Sequence, residues 1–180
     1  RDARESRGLG DVYKRQTGET ADFDTLETSN AGTLRTRLGY GTAPYHGVVA
    51  FAEFENITAF SDSAYFDAVP PNIRVKTPVA DPEETELNQA FLEWRGELAG
   101  LTAGAIGGRQ RIVLDDARFI GNVGWRQNEQ TYDAVRAELG GHDVSLIYAY
   151  LADVHRIFGD DGGLGSGTRD FASESHVVNA

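Results

Sequence analysis

Apolar and polar residues alternate at period two along most of this chain, and this fixes its elements before anything else is considered. Residues 33–42 place Leu34, Thr36, Leu38 and Tyr40 on one side and Arg35, Arg37 and Gly39 on the other, as a half-covered strand does. Residues 47–57 repeat the pattern: Val48, Ala50, Ala52 and Phe54 oppose Val49, Phe51, Glu53 and Glu55. Further strands are predicted over 84–95, 102–114, 130–139 and 142–156, with another starting at 173 and a weak one over 21–28. In 142–156, Val144, Leu146, Tyr148, Tyr150 and Ala152 share a face opposite Ser145, Ala149, Asp153 and His155. Turns are predicted at 29–32, 43–46, 96–101 and Gly140-Gly141, the last a tight hairpin signal. The stretches 61–82, 115–128 and 159–170 are longer and irregular. Short and long connections thus alternate along the chain. The pattern predicts an all-β antiparallel meander, and a transmembrane barrel shows the same asymmetry of tight turns at one end and larger loops at the other.

Composition narrows this picture. No run approaches the roughly 20 apolar residues of a membrane helix, whereas barrel strands hide their hydrophobicity in alternation. Tyr40, Tyr45, Trp94, Tyr132 and Tyr150 lie near strand ends, as in an aromatic girdle. The formal net charge of −11 argues against a nucleic-acid partner. The chain has no Cys, hence no disulfide or thiolate chemistry. Residues 1–16 (RDARESRGLGDVYKRQ) carry no period of either kind and look like translated adapter sequence. We expect 1–16 to be non-native or disordered and 17–180 to be a fragment of one β-barrel domain. The lack of any Met fits a partial sequence whose signal peptide went with its true N-terminus.

Several segments, in order, resemble one family. Glu86-Leu-Asn-Gln-Ala-Phe-Leu, Gly108-Arg-Gln-Arg-Ile, the run from Asn122 to Asp133, and Arg156-Ile-Phe-Gly-Asp are similar to the alginate export family of Gram-negative outer-membrane barrels, over roughly residues 33–180. The resemblance implies part of an outer-membrane barrel, incomplete and with open edges. It implies a porin-like channel for passive transport of polar, anionic (oligo)saccharides or small solutes, with outer-membrane lipid around it and no cofactor. It also implies an arginine-rich pathway, without assigning that pathway residue by residue.

Arg35, Arg37, Arg95, Arg109, Arg111 and Arg136 all fall on the less apolar sides of their strands, with Glu53, Glu55, Glu93 and Glu138. A charge on a barrel's lipid face costs about 2–4 kcal/mol at the midplane, so these residues are expected in the lumen. Arg109 and Arg111, two apart, are expected on one face. Two readings stand for the set. A charged constriction attracts sugar acids, because guanidinium matches carboxylate geometry; a ladder of internal ion pairs braces the wall. In the loop before Asp133, Arg126 can line the pore and Trp125 can stack on a sugar ring, or the loop is a plug held by Asn, Gln and Arg hydrogen bonds. Asp160 and Asp161 in a Gly/Asp run are a weak Ca²⁺ candidate against a plain loop. Asp115-Asp116 and Glu83-Glu84 are adjacent and face opposite ways on a strand, so neither is an acid/base pair. His46, His142, His155 and His176 have no metal-ligand spacing, and no catalytic site is legible. The rival class is a soluble or surface β-domain that binds carbohydrate through Trp94 and Trp125. The two readings differ on the faces Val48–Phe54 and Val144–Ala152: lipid-exposed in the first, a packed core in the second. A β-solenoid enzyme is disfavoured by the lack of a short repeat.

Overall fold

The computed structural model describes residues 5–16, 27–60, 65–67, 76–141, 144–158 and 170–180. The predicted strand over 21–28 lies almost wholly outside them, as do Asp160 and Asp161. Among the described residues eight strands form one antiparallel sheet in strict chain order, from β1 to β8. They are β1 (Glu5–Gln16), β2 (Ser29–Gly41), β3 (Val48–Ala59), β4 (Glu84–Leu98), β5 (Leu101–Gln110), β6 (Thr131–Gly140), β7 (Ser145–His155) and β8 (Asp170–Asn179). β1 and β8 do not pair, so the sheet is open. β1 covers the stretch set apart above as adapter-like and pairs with β2 along its length. An open edge accepts any extended backbone, because the ladder uses main-chain groups whatever the side-chain pattern.

The faces follow the alternation. One face of the sheet is bare and apolar: Leu38, Tyr40, Phe54, Leu92, Val135, Leu146 and Tyr148 are all exposed on it. Phe54 is 58 % exposed mid-strand, which no packed core would leave. The faces Val48–Phe54 and Val144–Ala152 are therefore not a core. The opposite face carries Thr33, Glu53, Glu55, Ile57, Gln110, Tyr132, Ala134, Ala149 and Leu151, all buried. Over them lie the described parts of the connections at one end of the sheet, chiefly 76–83 and 111–130. There the joins are 17–28, 60–83, 111–130 and 156–169; at the other end they are 42–47, 99–100 and 141–144.

Three predicted boundaries move, the first being the turn expected at 96–101, which narrows to Ala99 and Gly100 because β4 runs on to Leu98. The turn expected at 29–32 is the first part of β2. The strand expected over 102–114 ends at Gln110. Beyond it Ile112 and Leu114 bury against Tyr132, Ala134, Leu151 and Val154, so a folded-back loop mimics the alternation of a strand. β4 carries an extra residue, Asn88, between the pairs Glu53–Gln89 and Phe54–Leu87. This bulge sends both Asn88 and Gln89 to the covered face. β6 and β7 shift register between Asp133 and Ala134, and β7 and β8 between Leu151 and Asp153.

Phe54→Arg is expected to lower folding stability in lipid vesicles by about 2–4 kcal/mol, the cost of a charge near the midplane of a barrel's outer face. Urea titration of the refolded protein measures it. An effect under about 0.5 kcal/mol, the ordinary size for a surface substitution, would place this face in water.

Candidate functional site: the charged inner wall and its inserted loop

The loop 111–130 leaves β5, folds onto the covered face and reaches across to β2. Its anchor is the Glu129 carboxylate, which is buried. Asn88 Nδ2 donates to it at 2.7 Å and Asn122 Nδ2 at 2.8 Å. Arg37 Nη2 lies 2.9 Å away, and Arg111 Nε binds the same carboxylate. Glu53, equally buried, accepts from Arg111 Nη2 at 2.6 Å, Asn88 Nδ2 at 3.0 Å and Gln89 Nε2 at 3.2 Å. Glu55 pairs with Arg37 Nε. Three carboxylates and two guanidiniums thus form one network spanning β2, β3, β4 and the loop. Buried charges persist only when paired and hydrogen-bonded in this way.

The far end of the loop is fixed by main-chain bonds. Arg35 Nη1 donates to the carbonyls of Arg126 (3.2 Å) and Gln127 (2.9 Å). The Gln127 amide donates to Asp81 Oδ1 at 3.0 Å, and its side chain to Thr33 Oγ1 at 2.8 Å. Asn128 Nδ2 reaches the Pro82 carbonyl, so the end of the connection before β4 is tied into the same assembly. Tyr132 and Gln130 close the near end on the Gly121 carbonyl.

The expected arginines do not act alike. Arg35, Arg37 and Arg111 serve this network. Arg136 pairs with Glu138 at 2.9 Å and is largely buried. Arg95 pairs through Nε with Glu93, yet its side chain is 72 % exposed. Arg126 lies over the Trp125 ring at 4.1 Å. Trp125 itself is exposed. Arg109 departs from expectation: it pairs in register with Ala90 and Asp133 on the bare side, and it binds the Asp133 carboxylate with two nitrogens, at 3.0 and 3.2 Å. His155 Nε2 contacts the same carboxylate at 2.8 Å. Arg109 and Arg111 therefore part company, because β5 ends between them and the chain turns inward carrying Arg111. Glu129, Asn88 and Asn122 were not singled out from sequence. The run Arg126-Gln-Asn-Glu-Gln130, with five polar side chains and no apolar one, was the available signal. Among the described residues no cluster of His, Asp and Glu is placed to hold a metal.

Removing the Glu129 carboxylate leaves Arg37 and Arg111 with one carboxylate each. Glu129→Ala is expected to cost about 3–5 kcal/mol, as when one partner of a buried pair is deleted. It should also speed trypsin cleavage after Arg118 and Arg126, read by mass spectrometry of the folded protein. Unchanged cleavage would mean that the loop is held mainly by its bonds to Thr33, Arg35 and Asp81.

No curated protein and no solved structure matches the chain. The alginate export family model matches residues 10–156, and the open antiparallel sheet with its bare apolar face is the wall of such a barrel. The chain belongs to the alginate export family, a family of outer-membrane β-barrels with an export or porin-type role.

Proposed function

We propose that this wall lines a passive channel for anionic (oligo)saccharides or small anionic solutes. The observation that supports it most directly is the sorting of charge. The bare face is apolar through its middle, while Arg35, Arg37, Glu53, Glu55, Glu93, Arg95, Arg111 and Arg136 stand on the face that carries the inserted loop. In a closed barrel that face borders the lumen. Within it, the paired arginines brace the loop and the exposed Arg95 meets the solute. Guanidinium suits this role because it stays charged and matches a carboxylate with two parallel donors. Arg126, stacked on Trp125, presents a further cation from the loop. The family's name for its cargo is that of a polyuronate, and a sugar acid carries the charge this lining would select.

The whole barrel, refolded in detergent and placed in a planar bilayer, should show anion-selective conductance by its reversal potential under a KCl gradient. Arg95→Ala should move that potential toward zero, and Arg111→Ala should do so while also loosening the loop. Ohmic, unselective conductance would leave a general porin with bracing arginines. A protein that stays soluble without detergent and conducts nothing would favour a carbohydrate-binding β-domain.

A further inference from the structure

One row of the covered face does not fit a wall built only of ion pairs. Across β2, β3, β4 and β5 the register aligns Gly41, Phe51, Phe91 and Gly108. The two phenyl rings sit side by side, 5.3 Å between centroids and tilted by 32°. A glycine stands on either flank, so neither neighbouring strand adds a side chain to the row. Gly108 is fixed in this role: its φ is +121°, and a Cβ there would lie 2.3 Å from the Ala90 carbonyl oxygen. Both rings are only half-buried, unlike Tyr132, which lies beneath the loop. They line a cavity of about 570 Å³ with Pro44, Val49, Glu93 and Arg95. That volume is in the range of small-ligand sites, about 300–1,000 Å³. Arg95 uses Nε on Glu93, which leaves its two Nη groups for another acceptor.

An aromatic pair left open beside an exposed guanidinium has a specific chemical complement. The flat C–H face of a pyranose ring packs on an aromatic surface and loses little polar hydration there. A carboxylate on the same ring would reach a guanidinium at the cavity's edge with charge-assisted hydrogen bonds. We propose that Phe51 and Phe91 form a sugar-stacking subsite near the short-turn mouth of the channel, with Arg95 reading the acid group of a uronate. The position deepens the channel reading and rests on it, but the stacking contact is independent of charge. An uncharged oligosaccharide should therefore use the rings without using Arg95.

The test is single-channel recording of the whole barrel with two added probes, a short oligouronate and a malto-oligosaccharide of equal length. Both are expected to give transient current blockades. Phe51→Leu with Phe91→Leu keeps apolar bulk but removes the flat rings. It should shorten the dwell of both sugars about tenfold, equivalent to about 1.4 kcal/mol. Arg95→Ala should shorten the oligouronate dwell alone. Phe91→Trp should preserve or lengthen both. Unchanged dwell times in the double Leu variant would overturn the subsite, as would a wild-type channel that neither sugar blocks. A channel without anion selectivity whose maltosaccharide blockades still depend on the rings would retain the subsite and remove the anionic cargo.

Discussion

Hydrocarbon accepts no hydrogen bond, and that constraint governs this molecule. A chain lying in lipid must satisfy each backbone N–H and C=O within itself, which leaves helices and closed sheets as the spanning structures. Among the described residues no helix is long and apolar enough to cross, and the antiparallel ladder from β1 to β8 satisfies the requirement strand by strand. The outermost edges of β1 and β8 remain for other strands to close. Period two then divides the side chains between two solvents: apolar groups such as Leu38, Phe54 and Leu92 are left bare, and charges gather on the other face. The irregular backbone of the loops is confined to one end, and the longest described loop lies on the polar face.

That loop is why the inner charges are more than a lining. A wide wall with Glu53, Glu55, Arg37 and Arg111 facing water would gain little from each pair, since exposed ion pairs contribute about 0–1 kcal/mol. Glu129 changes their environment. By bringing a third carboxylate and two asparagines into the group, the loop removes it from solvent and makes its members interdependent. The arginines closest to the loop are thereby spent on structure. The side chains of that face left uncovered lie nearer the short-turn end, where Arg95 is largely exposed and the two phenyl rings are half-buried.

Much of the fold was legible because alternation is a local signal. β2, β3 and β6 emerge from residues two apart with their bare faces assigned correctly, and the one-sided distribution of loop lengths follows; in β7 the assignment holds from Leu146 to Tyr150, but the shifted register turns Asp153 and His155 to the bare side, away from Ala149. The misreadings share one cause, a partner distant in sequence. Ile112 and Leu114 alternate with Arg111 and Val113 as a strand would, yet the burial comes from Tyr132, Ala134 and Leu151. Asn88 reads as an ordinary polar strand residue, and only the pairing of Glu53 with Gln89 reveals it as an insertion. Arg109 and Arg111 look equivalent until the strand ends between them. Trp125 drew notice as a stacking platform, whereas the Phe51–Phe91 row needs the register of four strands to be seen.

The displaced registers of β4, β7 and β8 lie within a residue or two of a single row through Ala52, Ala90, Arg109, Asp133, Asp153 and Ala172. Each bulge bends its strand and increases its local twist. Aligned, they act as a crease running across the wall. Below it each strand keeps one register down to its tight turn, and above it lie the long connections. The tier above the crease is therefore offset in register from the tier below it, and it is the tier that carries the inserted loop.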